Sequence, residues 1–341
     1  MILKKHYIEV DTFERELRTI FLPRFFVGTD FDFLQKDSYY SFFIGKEHAL
    51  TCRKVGRRLK AFSNVCLHRN CLIDPLGAGQ RRFRCGYHGW QYDEEGELCR
   101  SPGFDLQKVQ CKKLIQYKTS SSMGLNFTGG EVDPEVSEAG VLMNNLGLIL
   151  SQAPFHSGEI EHQCNWKLLV ENVLDREHVG QVHGSSFVPA GIDSSAPVLA
   201  DGADYTLWSR IQPKDSPVSR SLKHFKGAAH HYLHGYVFPN LFLANTNNLI
   251  GFVNQLIPVT VNQSLLRWQL YELPALLAQP KAVRDKIKQD ATVLAERILR
   301  EDKQIVEMCQ KGLAAYGAEL QFQEQEEQIL RFHAMYSRAG T

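Results

Sequence analysis

Residues 66–90 read CLHRNCLIDPLGAGQRRFRCGYHGW, and the thiols and imidazoles in them restrict the fold more than any other feature of the chain. Cys66-x-His68 and Cys85-x2-His88 each join one thiol to one imidazole, with sixteen residues between His68 and Cys85. Four such donors suit a structural zinc or an iron–sulfur cluster, unless they meet by chance. Structural zinc usually takes each ligand pair from a tight C-x2-4-C or H-x3-5-H knuckle, whereas here each pair is mixed. Each pair lies in a hairpin-like loop, so the two loops can face each other and clamp one group. Gly86 and Gly89 allow tight turns and close backbone approach, Pro75 and Gly77 end the first loop, and Tyr87 and Trp90 can cover the site.

The surrounding sequence fits a strand scaffold. From about Tyr39 to Leu150 the chain reads as short strands and turns (YYSFFIG, ALTCRK, RRLKAFSNVC, RFRCGY, WQYDEEGEL), with no convincing helix. The texture changes after Gln163. NWKLLVENVLDREHVGQVH has helix-like composition, DYTLWSRIQ, AAHHYLHGYVF, NLFLANT, IGFVNQLIPVTVN and SLLRWQLYEL read as strands, and two helical stretches close the chain. The expected fold class is α+β: an N-terminal all-β domain over 39–150, then an antiparallel sheet flanked by helices over 151–341, with residues 1–38 packing on the latter.

Length and charge narrow the classes further. At 341 residues the chain can bury a large core and suits two domains. Its 39 basic and 38 acidic residues leave a formal charge of +1, which gives no sign of a nucleic-acid binder. The charged N-terminus has no apolar h-region, and stretches such as GLILSQAPF are too short for a membrane span. A cytoplasmic protein without membrane contact is expected. Six of the eight cysteines lie between residues 52 and 111, a clustering that suits metal better than disulfide staples.

Two Cys on one iron and two His on the other is the donor set of a Rieske [2Fe–2S] centre. With GYHGWQYDEEGEL, the stretch resembles the Rieske domain of the Rieske non-haem iron oxygenases, whose pattern looks like C-x-H-R-G…C-x-Y-H-G-W-x-Y-D-x-x-G. The resemblance implies Cys66, His68, Cys85 and His88 as cluster ligands. Asn70 stands where the family usually has Gly, and Asn is among the few other residues that tolerate a left-handed backbone. High-potential respiratory Rieske proteins join a cysteine at the Cys71 position to one in the second loop. Here that second position is Tyr87, so the oxygenase type fits better and Cys71 is expected as a packed thiol beside the cluster.

A second constellation, Asp175-x2-His178-x4-His183, follows in NWKLLVENVLDREHVGQVHG. Two His with one carboxylate is the ligand set of non-haem iron(II) oxygenases. On an ideal helix Asp175 and His178 lie about 60° apart but His178 and His183 about 140° apart. A bend or π-type bulge between the two histidines, eased by Gly180, is therefore expected. Glu177 precedes the first His, which disfavours an H-E-x-x-H zinc protease. Glu296, Glu301, Asp302 and Glu307 offer carboxylates on a distant helix.

The segment resembles the catalytic motif of the same oxygenase family. That implies His178 and His183 as iron ligands, with Asp302 as the third and Glu301 as its alternative. It also implies that Asp175 links an iron histidine to a cluster histidine of a neighbouring subunit, and hence a head-to-tail ring, most simply a homotrimer. The length resembles the smaller alpha-only members, and Asn172 before DREH looks like the vanillate-demethylase and dicamba-monooxygenase groups.

The expected protein is the terminal oxygenase component of a Rieske-type monooxygenase. It would use O2 and electrons from an NAD(P)H-dependent reductase, directly or through a ferredoxin, to hydroxylate or oxidatively demethylate a small organic substrate. No G-x-G-x-x-G fingerprint places the nucleotide on this chain. The rivals are a cis-dihydroxylating dioxygenase and, in another class, a Rieske electron carrier without catalytic iron. Arg69, Arg81, Arg82 and Arg84 suggest an acidic partner face. His230, Tyr232 and His234 share one face of a probable strand, where sheet packing and pocket lining are both open. Asn240, Asn245 and Asn247 offer polar contacts to substrate.

Overall fold

The computed structural model describes residues 1–56, 58–129, 133–222, 225–315 and 318–340, which form two compact units, Phe21–Val136 and Met1–Ile20 with Ser137–Thr341. The first holds β1 (Arg24–Thr29), β2 (Ser38–Ile44), β3 (His48–Val55), β4 (Arg58–Ser63), β5 (Gly77–Gln80), β6 (Gln91–Tyr92), β7 (Leu98–Arg100), β8 (Gln116–Ser122) and β9 (Leu125–Gly129). Aromatic and β-branched runs such as SYYSFFI suit a pleated, buried surface. Seven strands pair in the order β1-β9-β8-β4-β3-β2-β5, and β6 and β7 form a separate ribbon.

Residues 64–76 leave β4 and residues 81–90 leave β5, so both donor loops rise from neighbouring parts of one scaffold. Phe62, Ile73, Phe83, Trp90 and Leu98 pack beneath them. A buried polar latch holds the base of the first loop. Asp74 pairs with Arg53 at 2.5 Å and accepts from Thr51 at 2.8 Å, while Asn64 Oδ1 accepts from the Asp74 amide at 2.9 Å.

The second unit contains α1 (Val10–Glu16), α2 (Asp133–Asn145), α3 (Trp166–Leu174) and the one-turn α4 (Val179–Val182). Its sheet comprises β10 (His156–His162), β11 (Val198–Gly202), β12 (Thr206–Ile211), β13 (Tyr232–Val237), β14 (Leu241–Thr246), β15 (Ile250–Thr260) and β16 (Gln263–Glu272). These pair antiparallel in the order β10-β16-β15-β14-β13-β12-β11. The 35-residue α5 (Lys281–Ala315) and α6 (Glu327–Arg338) close the unit. Leu299, Val306, Gln310 and Leu313 form the buried stripe of α5, at the three-to-four spacing of one helical face. Among the described residues no helix is long and apolar enough to cross a membrane.

Two expectations need correction. The span to Leu150 contains a full helix, α2, whose stripe of Ala139, Leu142 and Met143, continued by Leu146 just past its end, is buried. That stripe runs for only two turns, and the strand-rich sequence around it hid its period. Packing also divides the N-terminal residues: 1–20 belong with the second unit, but 21–38 belong with the first, where β1 pairs with β9 from Arg24↔Gly129 to Thr29↔Leu125. Residues 137–150 fall in the second unit rather than the first.

Residues 1–20 are tied down by buried charge. Lys167 Nζ on α3 lies 2.7 and 2.9 Å from the two Glu16 carboxylate oxygens, and both side chains are fully buried. Trp166 Nε1 and the Tyr336 hydroxyl also donate to Glu16, at 2.7 and 2.6 Å. The rings of Tyr7, Trp166 and Tyr336 surround the ammonium at 5.4, 4.9 and 5.6 Å. Removing one partner leaves an uncompensated buried charge, so Lys167→Met is expected to lower unfolding free energy by about 3–5 kcal/mol. Adding Glu16→Gln should recover much of that loss, because neither side chain then carries charge. Equal denaturation midpoints for the single and double variants would refute this account.

Candidate metal centres and active site

The two donor loops of the first unit are built alike. In each, the first Cys amide donates to the carbonyl five residues on (Cys66 to Cys71, 2.9 Å; Cys85 to Trp90, 2.9 Å). In each, the amide four residues on donates back to the Cys carbonyl (Asn70 to Cys66, 3.0 Å; Gly89 to Cys85, 3.1 Å). Bridges Val65↔Leu72 and Arg84↔Gln91 close the two loops at equivalent places. Asn70 and Gly89 hold the same left-handed corner, with φ of +55° and +72°. The departure at Asn70 therefore preserves the turn, because Asn reaches this region at low cost.

The loops bring two imidazoles together on one side. His68 and His88 have ring centroids 4.5 Å apart. Trp90 stacks on His68 at 4.8 Å and 6°, and Phe104 meets the same ring edge-on at 4.7 Å, a contact the sequence reading missed. Tyr87 lies against His88 but stays 59% exposed, so it shields the site less than Trp90 does. Cys66 and Cys85 are buried. The Tyr92 hydroxyl donates to Cys66 Sγ at 3.3 Å and accepts from the Leu67 amide at 2.9 Å. Burial pushes the Cys66 thiol up. Cys71 is an unpaired, half-buried thiol packed against this core.

In the second unit α3 ends at Leu174, earlier than expected. Asp175 is its C-cap, with extended φ −72° and ψ +126°. The break therefore precedes His178, and no bulge separates the histidines. They flank the single turn α4 instead, His178 at its start and His183 at its end. Both histidines follow that break, and it is at the end of α4 that the chain leaves helical geometry, His183 having φ −101° and ψ +30°. The two Nε2 atoms lie 3.2 Å apart.

Asp302 on α5 completes the group, its Oδ1 lying 3.5 Å from His178 Nε2 and 3.0 Å from His183 Nε2. Among the described residues these three are the set of His, Cys, Asp or Glu whose ligand atoms converge within 4.8 Å. Burial would raise Asp302, but His178, His183 and Asn172 together hold it well below the usual carboxylate range. Burial likewise opposes charge on His178, yet Asp175 and Asp302 outweigh it and lift the imidazole to about 9.

Glu301 faces the other side of His183: its Oε2 is 2.7 Å from Nδ1 and accepts from the Ser186 hydroxyl at 2.6 Å. Asn172 Nδ2 donates to Asp302 Oδ1 at 2.9 Å. Asp175 Oδ2 lies 3.4 Å from His178 Nδ1, while its Oδ1 accepts from the Glu177 amide at 2.7 Å. The supporting roles of Asn172, Ser186 and Glu301 escaped the sequence reading. The adjacent acids of E-D in α5, which point in different directions around a helix, were the available signal.

The triad borders a cavity of about 270 Å³ between these helices and the sheet. Phe187, Tyr232, Phe242 and Phe252 contribute aromatic rings to a wall that is otherwise largely aliphatic, and Tyr232 and His234 both line it. His230 lies outside the strand and off the cavity. Asn240 and Asn245 donate to the Leu256 and Leu146 carbonyls, and Asn247 Oδ1 accepts from the His231 amide. These three brace loops and do not line the cavity.

Comparison with known proteins was made on both units. Residues 151–340 match the family described as ring hydroxylating alpha subunit (catalytic domain), and residues 25–111 match the Rieske [2Fe-2S] domain. The large oxygenase component of the naphthalene 1,2-dioxygenase system of Pseudomonas aeruginosa is 30% identical over 61% of the chain and 52% of its own length. The chain thus spans about half the length of the first curated relatives it matches. The carnitine monooxygenase oxygenase subunit of Escherichia coli (strain K12) is 24% identical over 92% of the chain and 84% of that protein. Among solved structures, a quaternary ammonium Rieske monooxygenase, CntA, superposes with TM-score 0.79 and 19% identity, covering 100% of this chain and 95% of that one. Naphthalene 1,2-dioxygenase from Rhodococcus sp. gives TM-score 0.75 and 18% identity, covering 98% and 93%. These two structures speak to the fold alone.

Proposed function

Because the chain belongs to the ring-hydroxylating alpha-subunit family and also carries a Rieske domain, we propose that it is the terminal oxygenase component of a Rieske-type monooxygenase. The two domains imply a Rieske [2Fe–2S] cluster and a mononuclear iron as cofactors. When bound, the cluster relays single electrons and the iron activates dioxygen.

The donors fit both groups. His68 Nδ1 is buried without a hydrogen-bond partner, as suits a nitrogen that completes its valence on a metal. Cys66, Cys85, His68 and His88 would hold the cluster, and Tyr92 O–H would hydrogen-bond the Cys66 sulfur. His178, His183 and Asp302 would hold the iron. Their mutual pairing shows that charge must be balanced at this point, and a cation would take the place of the shared protons.

The protein's own contribution is positional. Glu301 accepts from His183 Nδ1–H, which fixes the tautomer and leaves Nε2 free to ligate, and Ser186 orients Glu301 in turn. Asn172 aims Asp302. Phe187 stands edge-on to His183 at 5.2 Å and meets Tyr232 at 5.4 Å, a wall that keeps water from the reacting face.

Asp175 would hydrogen-bond both His178 and a cluster histidine of the next subunit in a homotrimeric ring. Its side chain is about a quarter exposed, which leaves it open to such a partner. Electrons would come from an NAD(P)H-dependent reductase, directly or through a ferredoxin, docking near the exposed Arg69, Arg82 and Arg84. Eight free cysteines support residence in the reducing cytoplasm.

The observation that carries the reading is the convergence of two histidines and a carboxylate on a largely apolar cavity. Anaerobically purified protein should contain about three irons and two acid-labile sulfides per chain, with a Rieske-type EPR signal after reduction. Two irons after iron(II) reconstitution would favour an electron carrier. The likeness to a naphthalene dioxygenase component keeps cis-dihydroxylation as the second reading. With 18O2, a monooxygenase places one labelled atom in product and a dioxygenase two.

A further inference from the structure

One stretch of the sheet wall does not match the apolar remainder. His234 on β13 borders the cavity and makes no hydrogen bond, and Phe242 stacks beside it at 6.4 Å. Asn254 on β15 lines the same cavity, and its buried Oδ1 has no partner in the protein. Buried polar atoms are rarely left unsatisfied, and an orphaned side-chain amide on a cavity wall marks a place where a ligand completes the bonds.

The sheet register explains why there is room. His234 pairs with Ser209 on one side and Ala244 on the other, and both are small. Gly235 faces away, where a Cβ would meet Leu146 at 2.9 Å and Leu142 at 3.0 Å, so α2 closes on that face and fixes which residues turn to the cavity. Along β13, His234 is two residues beyond Tyr232, the residue that meets Phe187, and so about 7 Å further along the strand.

Most of the charge on the lining is already matched, Asp175 lying 3.4 Å from His178 Nδ1. Asp302 belongs to the ligand set, Arg176 pairs with Glu177, and Glu327 pairs with Arg331 at 2.6 Å. Glu326 Oε2 accepts from the Gln323 amide. Burial pushes His234 down to about 4, so its imidazole is neutral at physiological pH, with one donor and one acceptor. Neither a carboxylate nor a quaternary ammonium finds a counter-charge on this stretch of wall, and burying an unpaired charge is costly.

We propose that His234 and Asn254, two strands and two residues apart on the same face of the sheet, offer two separate neutral polar contacts to an uncharged, largely apolar substrate of one or two rings that bears a hydroxyl or carboxamide. A cavity of about 270 Å³ lies just below the usual range for ligand pockets, which limits the size of the ring system. This rests on the cavity being the oxygenase's substrate pocket.

Calorimetric titration of the anaerobic, cluster-loaded protein with naphthalene, 2-naphthol, 2-naphthoate and naphthyltrimethylammonium tests the idea by binding alone. The expected order places 2-naphthol about tenfold tighter than naphthalene, the gain of about one net hydrogen bond, and both charged probes weaker than 2-naphthol. In Asn254→Leu or in His234→Phe, according to which contact the hydroxyl makes, the 2-naphthol advantage should fall toward one while naphthalene binding persists, which also shows that the variants are folded. Equal or tighter binding of either charged probe by the unaltered protein overturns the proposal. So does no measurable binding of 2-naphthol, or an advantage that survives in both variants. Failure of the oxygenase reading would appear separately, as a missing third iron, whatever the ligand order.

Discussion

Asp302→Ala is expected to abolish oxygenation while leaving the Rieske EPR signal unchanged, with iron falling from about three to about two per chain. Asp302 Oδ1 is the only carboxylate oxygen described within 3.5 Å of both Nε2 atoms, so no neighbour replaces it. Glu301→Gln separates the two acids. Glu301 reaches Nδ1 of His183 rather than Nε2, so its neutral variant should retain iron with affinity weakened about 10–100-fold. Equal iron loss in both variants would mean that Glu301 ligates directly. Full iron retention in Asp302→Ala would remove Asp302 from the site.

Asp175→Asn is expected to keep all three irons and both sulfides yet lower turnover about 100-fold, the upper range for losing a partner of a ligating histidine. The side chain remains the same size and can still accept from the Glu177 amide, so the backbone turn after α3 should persist. What changes is the charge beside His178 Nδ1. Stopped-flow reoxidation of the reduced cluster, with substrate and O2 present, should slow in step with turnover. Near-normal reoxidation would move Asp175 out of the electron path and leave it a helix cap. A chain that is monomeric in solution would likewise remove the neighbouring subunit from the proposal.

Much of both centres was legible because short loops write their geometry into local sequence. Cys66-x-His68 and Cys85-x2-His88 needed only turn residues at the corners, and the left-handed φ of Asn70 and Gly89 shows how strictly that corner is set. The His178 and His183 pair was legible for the same reason, since only four residues lie between them. The position of the helix break was not. Periodicity placed a bend between the histidines, whereas the chain leaves α3 at Asp175, where Asp302, Asn172 and the Glu177 amide all draw on the segment.

Residues that act across long sequence separations stayed hidden. Glu301 supports a histidine 118 positions earlier, and Glu16 sits beneath Lys167 from 151 positions away. Neither pairing follows from spacing, because the contact exists only once α5 and the N-terminal helix have packed on α3. The helix α2 was lost in a strand-rich stretch because its apolar stripe is two turns long. The asparagines named from sequence, Asn240, Asn245 and Asn247, serve the backbone, while Asn254 faces the cavity. A period of two tells which residues share a face of a strand, but not which face the helices will cover.

The sequence by itself determined the loops that carry the two candidate donor sets, the strand-rich character of the first unit and the strand-then-helix order that follows, since these depend on residue type and short-range turns. Tertiary structure decided which of two adjacent acids meets the imidazole Nε2 atoms, which face of the sheet lines a cavity, and which polar atoms in it lack partners. Those outcomes turn on a rotation of about 100° per helical residue and on which elements pack against each face. Packing sums contributions from the whole unit and leaves no trace in any short window of the chain.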